Sequence, residues 1–141
     1  WRLDTQFGST LGGSIDRNCA VMSGFASGSN NVNEDWLISP EIDLSSVEGA
    51  MLTFQTASRF SGNPLEIKIS TDYTTGNPNA ATWTNLSATL DTNTAAYVWT
   101  NSGDIDISTF VGGNVRIAFR YTSTSSASTT WEVDNILILK N

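Results

Sequence analysis

Apolar and polar residues alternate with a period of two along much of this chain. In Leu65-Glu66-Ile67-Lys68-Ile69 every second residue is apolar, and Val115-Arg116-Ile117-Ala118-Phe119-Arg120-Tyr121 repeats the pattern with bulky residues inward and arginines outward. Successive side chains of a strand point to opposite faces, whereas a helical face needs a period of 3.6, which neither run has. Further strand runs fall at about 19–25, 36–43, 50–57, 83–89, 95–100, 105–109 and 131–139. Turn-forming clusters separate them: Ser27-Gly28-Ser29-Asn30-Asn31, Ser61-Gly62-Asn63-Pro64 and Thr75-Gly76-Asn77-Pro78-Asn79. Nine short strands with such turns predict an all-β fold, two antiparallel sheets packed as a β-sandwich. The Ser/Thr stretch from Thr122 to Thr130 lies between two strong strand patterns and is expected as a long exposed hairpin loop. No repeat, charge block or boundary divides the chain, so residues 1–141 read as one module.

Composition supports this reading and removes several chemistries. The 141 residues suit a single domain, which buries around two-thirds of its unfolded surface and needs no metal or disulfide to have a core. Charged residues are only 15%, and 18 Ser, 18 Thr and 13 Asn take their place, which disfavours long amphipathic helices. There is no histidine, hence no Ser-His-Asp or Cys-His arrangement, no His-ligated zinc and no imidazole base. Cys19, the one cysteine, cannot form an internal disulfide or a thiolate cage and reads as a small core residue. A net charge of −7 argues against binding nucleic acid or an anionic membrane surface. No apolar run approaches the ~18 residues of a membrane span. The chain opens at Trp1 without a leader, as an excised module or mature fragment would.

Four segments stand out together. They are Asn33-Glu34-Asp35-Trp36-Leu37-Ile38-Ser39-Pro40-Glu41-Ile42-Asp43-Leu44, Asp104-Ile105-Asp106-Ile107-Ser108, Gly113 to Tyr121, and Trp131-Glu132-Val133-Asp134-Asn135-Ile136, with Cys19-Ala20-Val21-Met22-Ser23 ahead of them. This order resembles the choice-of-anchor J and cleaved-adhesin domains of secreted bacterial proteins, which look MAM-like. The resemblance spans roughly residues 1 to 139. It implies a jelly roll, usually non-catalytic, appended to secreted hydrolases, proteases or adhesins, with calcium near the meeting of the terminal segments. Matched residue by residue, the calcium ligands it implies are Asp134, Asp35 and Asp4. The Asp-Gly-rich run of cleaved adhesins is missing after Asp4, where Thr5-Gln6-Phe7-Gly8 stands. Independently, Asp134 sits in an apolar run, where burial of a carboxylate requires a cation, an arginine or backbone N–H donors. Calcium, which takes six to eight hard oxygens, is one such cation.

The aromatic residues suggest a second chemistry. Sugars stack their C–H faces on Trp and Tyr rings, with polar side chains fixing the hydroxyls. Trp36 and Trp131 lie in the tightest strand patterns and read as core. Trp83, Tyr97 and Trp99 lie in polar runs flanked by loops and are the ligand-binding candidates; Tyr97 and Trp99, two apart, share a face of their expected strand. Tyr73 and Phe60 lie beside turns, where they either line a loop-end site or plug it. Arg59, Glu66, Lys68, Arg116 and Arg120 are expected on one outer face, either as cross-strand ion pairs or as a strip for an anionic polysaccharide. Asp104 and Asp106 alternate on one strand and read as edge residues rather than a glycosidase pair.

These observations predict a non-catalytic carbohydrate-binding module of a secreted or surface protein, stabilised by calcium and monomeric within a larger chain. Its partner would be a polysaccharide or other glycan gripped by Trp83, Trp99, Tyr97, Tyr73 and Arg59. A protein-binding adhesin module is the alternative, and a β-sandwich lyase or hydrolase with Tyr97 or Tyr121 as its base is a further one.

Overall fold

A computed structural model describes residues 1–13 and 17–141. Among the described residues thirteen strands run in chain order: β1 (Arg2–Asp4), β2 (Cys19–Met22), β3 (Phe25–Ala26), β4 (Ser29–Asn30), β5 (Asn33–Ile38), β6 (Ile42–Asp43), β7 (Ala50–Arg59), β8 (Glu66–Ser70), β9 (Thr84–Leu86), β10 (Thr100–Asn101), β11 (Ile105–Asp106), β12 (Asn114–Ser123) and β13 (Thr130–Lys140). Helical structure among the described residues is limited to three single 3₁₀ turns, and no helix is long and apolar enough to cross a membrane.

Two antiparallel sheets pack face to face. One has the order β1-β2-β13-β7-β10, with β11 also on β7; the other runs β5-β12-β8-β9, with β6 on β12. Successive long strands alternate between the sheets, β5 to β7 to β8 and β12 to β13, in the manner of a jelly roll. The alternation read in the sequence is the cause. Val115, Ile117, Phe119 and Tyr121 of β12 and Ile67 and Ile69 of β8 turn inward from one sheet, and Leu52, Phe54, Trp131 and Val133 turn inward from the other. Phe54 and Phe119 meet edge to face across the layers, centroids 5.1 Å apart.

Four expectations change. Residues 95–99 form no strand, because their backbone bonds go to side chains of a turn, and only Thr100–Asn101 pairs with β7. The Thr122–Thr130 stretch is no hairpin: it crosses from one sheet to the other, and Ser128 and Thr129 are buried beneath it. Trp131 is core, but Trp36 lies half-buried on the outer face of the five-stranded sheet, opposite Arg120 in register. Finally, the apolar run of β13 leaves the core at a register shift between Asp134 and Leu137, where Asn135 has φ +50°. Asp134 itself pairs with Gln55 on the outer face just before this shift and is half-exposed rather than buried.

Tyr121 shows how the crossing is anchored. Buried at the sandwich end, its hydroxyl accepts from Gly24 N at 2.7 Å and donates to Thr129 O at 2.9 Å. Replacing it with Phe orphans both groups, and such losses cost about 1–3 kcal/mol each when buried. Tyr121→Phe is expected to lower the urea midpoint without changing the fold; an unmoved midpoint would show that water satisfies both groups.

Candidate functional site

The outer face of the six-stranded sheet carries a cleft of about 580 Å³. The register explains its floor. Arg2 pairs with Val21, Val21 with Glu132 and Glu132 with Ala57, so these four side chains form one row on the outer face. Thr130 pairs with Arg59 one step along the same face. Tyr97 and Trp99 rise on one side, and Asp4, Phe7 and Arg17 line the other. Three of the five aromatic and cationic residues expected to bind ligand, Tyr97, Trp99 and Arg59, thus meet in one place.

Asp91, which sequence reasoning missed, holds the loop that carries Tyr97 and Trp99. Almost fully buried, its Oδ2 accepts from Ser58 N at 2.8 Å and Val98 N at 3.2 Å, while Oδ1 accepts from Asn93 N at 2.9 Å. Asn93 in turn accepts from Ala95 N and Ala96 N. This nest of side-chain-to-backbone bonds replaces the strand ladder and aims the loop at β7. The Asp-x-Asn spacing at 91–93 was the available signal.

Glu132 is the unusual group of the cleft. It is 5% exposed, yet its carboxyl has no hydrogen bond or ion pair among the described residues. Burial pushes it up to about 7, helped by the neighbouring Asp4 charge and opposed by Arg2. Arg59 has no ion pair among the described residues either and lies 4.9 Å above the Phe60 ring centroid. Tyr97 is pushed up by burial, with a hydrogen bond to Thr130 opposing. Cys19, across from Asp4 in register, is buried with its thiol pushed up to about 12 by desolvation, so it is inert.

The other two aromatic candidates stand elsewhere. Trp83 and Tyr73 lie on the outer face of the five-stranded sheet with Trp36: Trp36–Trp83 centroids are 5.3 Å apart and Tyr73–Trp83 centroids 5.4 Å. Arg120 stands 5.6 Å from the Trp36 ring and Arg116 6.0 Å from that of Tyr73. Trp36 Nε1 donates to Glu34 at 2.9 Å, and Trp83 Nε1 to Pro78 O at 2.9 Å. Rings and indole N–H groups are thus already engaged, and this patch clamps the 71–83 loop to the sheet. Arg120 also bonds Glu34 at 2.9 Å and Glu66 at 2.6 Å, and Lys68 bonds Glu66 at 2.7 Å. Four members of the expected polar strip therefore share this face, largely as ion pairs, while Arg59 belongs to the opposite sheet. Asn79, Trp36 and Arg120 together hold Glu34 down to about 2.

Asp4, Asp35 and Asp134 do not make one ligand shell. Asp4 accepts from Arg2 at 2.9 Å and from Gln6 N at 2.9 Å. Asp35, on the other sheet, lies 3.0 Å from the Trp1 nitrogen. Asp134 accepts from Ser9 N at 2.7 Å and Asn135 N at 2.7 Å, tying the N-terminal segment to β13. Among the described residues no group of three or more His, Cys, Asp or Glu is placed to hold a metal ion. The backbone N–H donors that a buried carboxylate requires are thus present at Asp134.

The fold and the cleft define a jelly-roll β-sandwich with one amphipathic outer face. Residues 39–140 match the family model described as a domain of unknown function (DUF5017), and the chain belongs to that family. No curated protein matches the chain.

Two tests follow from the charges. Glu132, raised from an ordinary 4.5 to about 7, binds more protons folded than unfolded between those values, so its contribution to stability is present below 4.5 and lost as pH rises through 7. Glu132→Gln should match the wild-type melting temperature at pH 4.5 and exceed it at pH 8; an equal difference at both pH values would reject the burial argument. A calcium ion bound only by the native state raises the melting temperature. If calcium joins the terminal segments as the resemblance implies, chelator lowers the melting temperature; an unmoved value would reject that expectation.

Proposed function

We propose that the chain is a carbohydrate-binding module that grips a polysaccharide in the cleft on the six-stranded sheet. The convergence of Tyr97, Trp99 and Arg59 around the partnerless Glu132 carries this reading. Two rings offer stacking surfaces, while a free guanidinium and a carboxyl offer the directional bonds that sugar hydroxyls need. Val21, Ala57 and Thr130 keep the floor low, so a chain can lie across it. The resemblance to choice-of-anchor J and cleaved-adhesin domains supports a secreted or surface protein as the setting, with the module holding that protein near its substrate by raising effective concentration.

A catalytic reading has one observation in its favour: a buried carboxyl near neutrality is suited to general acid work. It is the second choice because the neighbouring Asp4 is already engaged by Arg2 and Gln6 N, and Tyr121 is buried in the core.

Affinity electrophoresis against soluble plant and microbial polysaccharides tests the proposal. Trp99→Ala and Tyr97→Ala should each weaken retention about tenfold, the loss of one stacking contact with its buried area. Trp83→Ala should lower stability and leave retention unchanged. Binding to extracellular protein with no polysaccharide retained would make the module an adhesin. Turnover of a retained polysaccharide, lost in Glu132→Gln, would make it an enzyme.

A further inference from the structure

At the loop end of the sandwich, beside the sheet cleft, lies a second and smaller pocket of about 340 Å³. Small-ligand sites run to roughly 300–1,000 Å³. Phe25 and Phe60 line it, and both are exposed, at 56% and 52%. Two large rings left in water at one pocket are costly unless something covers them.

Three further observations point to a ligand. Phe60 has φ +68°, a conformation that bulky residues avoid, and the Phe60 N–H to Thr94 O bond at 3.0 Å holds it there. Backbone strain of this kind concentrates at functional positions, and here it turns an aromatic ring outward. Ser128, in the pocket wall, is 4% exposed and its hydroxyl has no partner. Buried hydroxyls are normally satisfied, so this one is short of a hydrogen bond, which a ligand reaches only with a small shift of the wall. The chain next to the lining residues is tightly packed: Gly24 presses against Ser123 and Gly62 against Thr129, with no room for a Cβ at either glycine.

The chemistry of the lining selects the ligand class. Besides the two rings its rim is built of hydroxyls and an amide, with Thr130 donating to Ser23 and Asn30 to Ser126 O while Ser61 keeps its hydroxyl free among the described residues, and no lining residue carries a charge. Apolar faces with hydroxyl and amide rims match a neutral pyranose, which has C–H faces and equatorial hydroxyls. Thr130, the first residue of β13, lines both this pocket and the sheet cleft. Phe60 also bridges the two through its contact with Arg59.

We infer that the Phe25–Phe60 pocket is a second subsite, taking a neutral pyranose unit of the same glycan chain that lies in the sheet cleft. The inference rests on the cleft being a glycan site. It makes the ligand an oligosaccharide that turns over Thr130 from the sheet face to the loop end. The two subsites then reinforce each other, since occupancy of one makes binding at the other effectively intramolecular.

Calorimetry with neutral cello-, xylo- and manno-oligosaccharides of two to six units tests this. Wild-type affinity should climb with chain length until both subsites are filled. Phe25→Ser, which leaves Arg59 untouched, should remove that gain, weakening the hexasaccharide about tenfold and the shortest binding oligosaccharide hardly at all. Phe60→Gly should do the same while keeping the native circular dichroism, since glycine adopts the left-handed backbone freely. Length-dependent binding lost in Trp99→Ala but untouched in both Phe variants would overturn the loop-end subsite and leave the sheet cleft standing. Failure of every oligosaccharide to bind would overturn both.

Discussion

Phe54 and Phe119 touch across a dry interior into which each sheet turns every second side chain. Because that interior takes the apolar half of β7, β8, β12 and the start of β13, each sheet has an outer face released from core packing. The strands can then carry carboxyls, guanidinium groups and rings outward without weakening the sandwich. A helix of similar length would offer only a narrower free stripe.

The two outer faces use that freedom in opposite ways. On the five-stranded sheet Glu34 sits among Asn79, Trp36 and Arg120, and its carboxyl is held ionised down to about 2. On the six-stranded sheet Glu132 is sunk beside Val21 and Ala57 without a partner, and its carboxyl rises to about 7. Hydrogen bonds to the charged form dominate in the first case and desolvation in the second. A face whose groups satisfy one another is a structural patch. The other face leaves a buried carboxyl, a guanidinium and two rings without partners among the described residues, which is what the proposed glycan site rests on.

The loop end extends the second face rather than forming a separate surface. Thr130 is shared, Arg59 leans on Phe60, and the Asp91 nest that presents Tyr97 also places Thr94 O where it holds Phe60. One buried carboxylate thereby organises the approach to both pockets.

The period-two alternation at 65–69 and 115–121 and the turn clusters between runs determined the fold class from the sequence alone, and the absence of histidine excluded imidazole chemistry. Those signals are local, each requiring only neighbouring residues to agree. Which aromatics meet was decided by the tertiary structure, since strand register and the crossing at 124–129 depend on partners far away in sequence. Trp83 and Trp99 look alike as polar-run tryptophans, yet they lie on opposite sheets. Glu132 drew no reading of its own from the sequence, and the pairing with Val21 and Ala57 buries it. Asp134 looked buried, and its pairing with Gln55 places it on the outer face. Periodicity tells a side chain which of two faces it takes; what waits on that face is set by the strands that pack beside it.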